Sequence, residues 1–196
     1  MRCIYNALHE VAGRSGKLKP RSVLLALLGA VLLPGATLRA DNAVAPVVHA
    51  VSLASMPVVT RVVVHKSARR MELRNGEQVL RSYRVSLGLQ PQGPKEREGD
   101  FRTPEGRYQL TRRNPRSDFF LSIQVSYPSE RDLQRAKANG WEPGGAIMIH
   151  GMPNRLKQDP DYYKRDWTDG CIAVSNSDML EIWLFTDQNT PIDILP

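Results

Sequence analysis

The chain has 196 residues, 41% of them hydrophobic and 24% charged, with a formal net charge of +7. That length fits one domain with an appendage, and those fractions exclude wholesale disorder. Six bases and one acid lie in the first forty residues, so the remainder carries 21 bases against 19 acids and has no electrostatic case for binding nucleic acid.

Residues 1–40 read as an export signal. Lys17, Lys19 and Arg21 flank the apolar run SVLLALLGAVLL, which ends at Pro34 and Gly35. The run is short for a bilayer span and suits a signal-peptide core, with cleavage expected after Ala40. An uncleaved anchor is the alternative. Either way the domain is expected outside the cytoplasm, with the periplasm preferred and no membrane contact beyond the signal segment. Residues 41–57, rich in Ala, Val and Pro, read as a linker to a domain over 58–196.

VVTRVVVHK, from Val58, is β-branched and predicts a strand. Asn75-Gly76 separates two strand-like runs and suits a tight hairpin, with Met71 and Leu73 alternating inward against Glu72 and Arg74. Pro91–Gly99 reads as a loop. Pro104 and Gly106 predict a turn before a strand over Arg107–Thr111. DFFLSIQVSYP predicts a strand stopped by Pro128. Ser129 and Asp132 have capping-box spacing before a helix that Gly140 can end. GGAIMIH predicts a short buried strand ending at His150, and CIAVSN is again extended. SDMLEIWLFT predicts a helix capped near Ser177, and TPIDILP a closing strand. The expected fold is mostly β (a β-rich α+β domain), with a curved or barrel-like mixed sheet and two short helices.

Two reactive residues close this reading. His150 ends one predicted strand and precedes Gly151; Cys171 follows Gly170 and opens another. Once the signal with Cys3 is removed, Cys171 has no intramolecular partner, so it is paired between chains, kept reactive, or simply buried. If the two strands are neighbours, thiol and imidazole emerge at one rim. A thiol of pKa about 8.5 is mostly protonated near neutrality, and an adjacent imidazole can take its proton. Backbone N–H groups at Gly170 and Cys171 could then stabilise an oxyanion, and the Gly151 carbonyl or a nearby side chain could orient the histidine. His65 precedes Lys66 rather than glycine and His49 lies in the linker, so both read as structural or exposed.

Two other readings compete on these residues. Zinc could use Cys171, His150 and Asp166, but no C-x-x-C or H-E-x-x-H spacing is present. A non-catalytic wall-binding module would explain export but not the Gly-Cys and His-Gly pairs. Thr168, Asp169 and Trp167 are candidate substrate contacts, though Thr168 could equally shape a turn and Asp169 could be solvated. Tyr162, Tyr163 and Trp167 could form a lid or simply pack. Arg155, Lys157, Lys164 and Arg165 could meet substrate carboxylates, but most of them read as a solvated charged loop.

IMIHG followed by DWTDGCIAVSN resembles the L,D-transpeptidase catalytic (YkuD) domain family, in which His-Gly is followed, after a spacer, by Ser or Thr, a variable residue, Gly and Cys. Here these are His150, Gly151, Thr168, Asp169, Gly170 and Cys171. VSLG, GDFRTPEG and VSYP are similar to the family's hairpin and turns, so the likeness spans Val58–Pro196. The resemblance implies acyl transfer on peptidoglycan tetrapeptide stems, with no metal and no organic cofactor. Cys171 would attack the carbonyl of the third residue, expel the terminal D-alanine, and pass the acyl group to an amine. The chain departs from many members in having Asp169 in place of His, Ala173 in place of Arg, and a longer His-to-Cys interval. Its DWT-x-GC pattern is similar to a proteobacterial subgroup with a member that hydrolyses the bond between murein and its lipoprotein. Water as acceptor, giving a hydrolase of cross-links or of murein-linked lipoprotein, is therefore the alternative outcome.

Overall fold

The computed structural model describes residues 58–155, 161 and 164–196. The expected signal over 1–40, the linker over 41–57, His49, Lys157, Tyr162 and Tyr163 lie outside the described residues.

The described chain runs β1 (Arg61–His65), β2 (Arg70–Asn75), β3 (Gln78–Arg84), β4 (Gly106–Ser117), β5 (Phe120–Val125), α1 (Glu130–Ala138), β6 (Met148–His150), β7 (Ile172–Ala173), α2 (Asn176–Phe185) and β8 (Pro191–Leu195). The strands form one mixed sheet of eight in the order β3-β2-β1-β8-β4-β5-β6-β7. Only β1–β8 and β6–β7 pair in parallel. The sheet also meets itself: Ser86, just beyond β3, exchanges two backbone hydrogen bonds of 2.9 and 2.8 Å with Ala173 of β7. That contact covers part of an edge that a flat sheet would leave open, and it gives the expected mostly-β, curved architecture with two helices.

Alternation along the strands builds the core. Val62 and Val64 of β1, Met71 and Leu73 of β2, Ile192 and Ile194 of β8 and Leu110 of β4 form one buried cluster. Ile123, Ile149 and Ile172 extend it to the far strands, and α2 adds Met179 and Ile182. At about 25 cal/mol per Å² of apolar surface, each such side chain contributes roughly 1.5–3 kcal/mol by burial.

Local chemistry explains the elements and corrects several expectations. The hairpin loop is Gly76-Glu77, with Asn75 still paired to Gln78. Gly76 alone there has positive φ, at 55°. Glycine thus takes the first central position, and Asn75 ends the strand instead of turning it. Glu72 does not face solvent: it is buried, and Arg74 Nε donates to it at 2.8 Å while Arg70 and His65 lie at 2.9 and 3.5 Å. Burial alone would raise its carboxyl pKa, but the Arg74 hydrogen bond and the surrounding positive charge hold it below the usual range. The helix α1 starts as expected, with the reciprocal Ser129–Asp132 capping box. Gly140 follows its end at φ +68°. The helix α2 is capped by Ser175 rather than Ser177, because the Asp178 N–H reaches the Ser175 hydroxyl at 3.1 Å. The last strand, β8, sits in the middle of the sheet between β1 and β4.

Candidate active site

The parallel pairing of β6 and β7 sets Ile149 beside Ile172 and His150 beside Ala173. Ile149, Ile172 and Val174 belong to the apolar core. Alternation therefore sends His150, Ala173 and Cys171 to the opposite face. Both reactive residues are 2% exposed. Cys171 is in no disulfide. Its Sγ lies 3.6 Å from the Ala146 carbonyl oxygen, toward which it donates.

Gly170 precedes the cysteine at φ +128°, and a Cβ there would come 2.6 Å from the Arg102 carbonyl oxygen. Glycine is required by that close backbone approach as well as by its dihedral angle. The Gly170 N–H donates to Thr168 Oγ1 at 3.1 Å, so it serves the turn itself.

His150 ends β6. Its Nδ1 lies 2.7 Å from the Gly151 carbonyl oxygen. A carbonyl only accepts, so Nδ1 carries the proton and Nε2 keeps the basic lone pair in the neutral ring. Burial pushes the imidazole pKa down to about 4, with the Gly151 hydrogen bond acting in the other direction. The imidazole is therefore neutral at pH 7 and able to accept a proton.

The loop before Cys171 is held by its own polar atoms. Thr168 is buried, and its hydroxyl donates to the Cys171 carbonyl at 2.7 Å while accepting from Gly170. The Thr168 hydroxyl thus braces the turn from inside. Trp167 is half-buried against His150, with ring centroids 5.6 Å apart. Asp169 is half-buried. Arg155, Lys164 and Arg165 are exposed, and Lys164 pairs with Asp161 at 2.6 Å, as a solvated loop should.

Asp166, considered above as a zinc ligand, faces a guanidinium instead. Arg69 donates to it from Nη2 at 2.7 Å and from Nε at 3.0 Å, and the Leu87 N–H donates at 2.9 Å. Among the described residues no three His, Cys, Asp or Glu side chains gather where a metal could sit.

Several residues that position the site carried no sequence signal. Lys66 is 2% exposed, and its ammonium donates to the Gly93 and Thr103 carbonyls at 2.6 and 2.8 Å and to Glu105 at 2.8 Å. Lys95 is buried on Asp100, at 2.7 Å. Asp100 also accepts the N–H groups of Glu96, Arg97 and Arg102. These two lysines fix the 93–105 loop, whose Arg102 carbonyl abuts Gly170. A cavity of about 590 Å³ lies elsewhere, between α1 and the β4–β8 pair, lined by Tyr108, Asp132 and Asp193 among others.

Residues 59–194 match the L,D-transpeptidase catalytic domain family, YkuD. A relative from Escherichia coli strain K12, named "Putative L,D-transpeptidase YafK", is 30% identical over 137 residues, 68% of this chain and 48% of that protein. The chain thus spans about half the length of the curated relatives it matches. The crystal structure of the helical cell shape determining protein Pgp2 from Campylobacter jejuni superposes with a TM-score of 0.53 at 27% identity, covering 69% of this chain and 47% of that one.

Proposed function

The chain belongs to the L,D-transpeptidase catalytic domain family, and from that premise we propose that it is an exported cysteine acyltransferase acting on peptidoglycan stem peptides. The observation that carries the proposal is the β6–β7 register, which sets His150 and Cys171 on one face with the imidazole neutral and its Nδ1 proton tied to Gly151.

The reaction then follows from general base catalysis. His150 Nε2 takes the thiol proton as Cys171 Sγ bonds to the carbonyl carbon of the third stem residue. The carbonyl oxygen becomes an oxyanion, for which backbone donors at the Cys171 turn are the proposed stabilisers. The tetrahedral intermediate collapses as the C–N bond to the terminal D-alanine breaks and its nitrogen takes the proton from His150. A thioester remains. An amine acceptor attacks it, His150 takes the amine's proton, and the sulfur leaves and is reprotonated.

Water in place of the amine makes the same acyl-enzyme a hydrolase, which would cleave murein cross-links or release a murein-linked lipoprotein. Trp167 and Asp169, at the half-buried rim of the turn, and Thr168 within it are the proposed substrate contacts. Expected sites of action are the periplasm and its murein. The test is mass spectrometry of murein fragments incubated with the purified protein. New cross-links between diamino acids would support the transferase. Shortened or detached fragments would identify the hydrolase, and unchanged fragments would remove the activity.

A further inference from the structure

The reading above uses β6, β7 and the loop before Cys171. It leaves unused the tip of the β4–β5 hairpin, which reaches the same place. Ser117 pairs with Phe120, so the two-residue loop is Asp118-Phe119. The Phe119 ring lies 4.6 Å from the His150 ring, centroid to centroid, tilted by 47°. Trp167 approaches the same imidazole edge-on at 5.6 Å, and Phe119 and Trp167 lie 6.1 Å apart. The histidine is thus flanked by two aromatic rings from two different loops.

The hairpin tip is bound to the peptide that orients the imidazole. The Gly151 N–H is shared between the Phe119 and Leu121 carbonyls at 3.1 and 3.2 Å. Asn154 accepts from the Phe120 N–H at 3.0 Å and donates to the Ser117 carbonyl at 3.0 Å. A Cβ on Gly151 would come 3.1 Å from the Phe119 carbonyl oxygen and 2.6 Å from Asn176 Oδ1. The tip therefore packs on the His150–Gly151 peptide without slack. The Gly151 carbonyl also accepts the hydrogen bond from the His150 Nδ1–H.

We propose that Phe119 is a positioning residue for His150: its ring fixes the imidazole's orientation and keeps water from it. This rests on His150 being the base of the reading above. Burial is the leading cause of the histidine's depressed basicity, opposed by the Gly151 hydrogen bond, and no charged side chain is among its causes. The titratable and charged groups on the elements around the ring are Arg112, Arg113, Arg116 and Asp118 towards the hairpin tip, Lys164, Arg165, Asp166, Asp169 and Cys171 on the following loop, and Asp178 and Glu181 on α2. Of these, Asp118 is exposed and Asp166 is paired with Arg69. Phe119 is thus a hydrophobic neighbour of His150 that can be removed without removing a charge.

The test uses the full chain in a Cys171→Ala background, where no thiol titrates beside the imidazole. The His150 ring proton is followed by NMR, identified by its absence in His150→Gln. The parent should titrate near pH 4. Phe119→Ala should raise the midpoint by about one pH unit or more, toward the solvated value, while Phe119→Leu should stay near the parent. With Cys171 restored, the acid limb of kcat/KM should move up by the same amount in Phe119→Ala, with KM held within about 2-fold. An unmoved midpoint in a folded Phe119→Ala would overturn the proposal, as would lost kcat with an unmoved acid limb. If the alanine variant does not fold, Phe119→Val carries the same comparison. Absent turnover in the unmutated protein would count against the activity, whereas the NMR midpoint tests the positioning separately.

Discussion

Two halves of the sheet are built on different principles. From β3 through β4 the strands are five to twelve residues long and are joined by ladders interrupted only by one bulge between β2 and β3, at Leu73/Arg74. Their alternating apolar side chains fill the core. At the other end β6 has three residues and β7 two. There the ladder supplies few hydrogen bonds, and side chains take over: Asp166 on Arg69 and the Leu87 N–H, Thr168 inside the turn, Asn154 across to the hairpin, Asn176 on the Met152 N–H. The difference teaches that reactive side chains need not stand on the longest strands. A short strand pair sets their direction, and satisfied polar groups around it hold the position.

Substitutions can break this division. The largest effect is expected at the reactive pair. Cys171→Ala and His150→Ala should each remove turnover on murein substrates while thermal unfolding stays within a few degrees of the parent. Full activity in either variant would take that residue out of the chemistry. Next comes the long-stranded half. Ile192→Ala, in the central strand, should cost about 2–5 kcal/mol of stability by leaving a cavity, with kcat per folded molecule unchanged. Denaturant unfolding together with active-site titration reads both numbers. A kcat that fell with the stability would mean that the two halves are not separable.

The pH dependence sharpens the comparison further. His150 has a folded pKa of about 4, below the solvated value of about 6.5. The unfolded chain therefore binds more protons between those values. The stability associated with the neutral ring is complete above pH 6.5 and is lost as pH falls through about 4, amounting to roughly 3 kcal/mol. Denaturant unfolding at pH 7, 5.5 and 4 should show that loss in the parent and its absence in His150→Gln. The smallest effect is expected for Thr168→Val. It leaves the Gly170 N–H and the Cys171 carbonyl without the hydroxyl and should cost about 1–3 kcal/mol, with a lowered rate of acylation. An unchanged acylation rate would show that the turn holds Cys171 without this brace.

What the sequence made legible divides along the same line. Period-two alternation and the Ser129–Asp132 spacing are local patterns that mark their elements, and the His150-Gly151 and Gly170-Cys171 pairs are local patterns on which the proposed chemistry rests. The central place of β8 was not legible, because inserting the last strand beside the first is a long-range pairing that no window of sequence encodes. Glu72 reads as outward-facing because alternation counts polarity and cannot see the two arginines, Arg70 and Arg74, that neutralise it. Lys66 and Lys95 were invisible for a related reason: a lysine is ordinarily solvated, and only the fold shows the carbonyls and carboxylates that receive its protons. Asp166 lay inside the recognised stretch, but its partner Arg69 comes from the β1–β2 turn, 97 positions away.

The central claim is that the Cys171 sulfur becomes a nucleophile through His150. Intact-protein mass spectrometry after exposure to a carbapenem tests it most directly. The account predicts a rapid covalent adduct on the unmodified protein, none on Cys171→Ala, and a much slower one on His150→Ala. An adduct that persists in Cys171→Ala, or that forms on His150→Ala at the parent's rate, would contradict it.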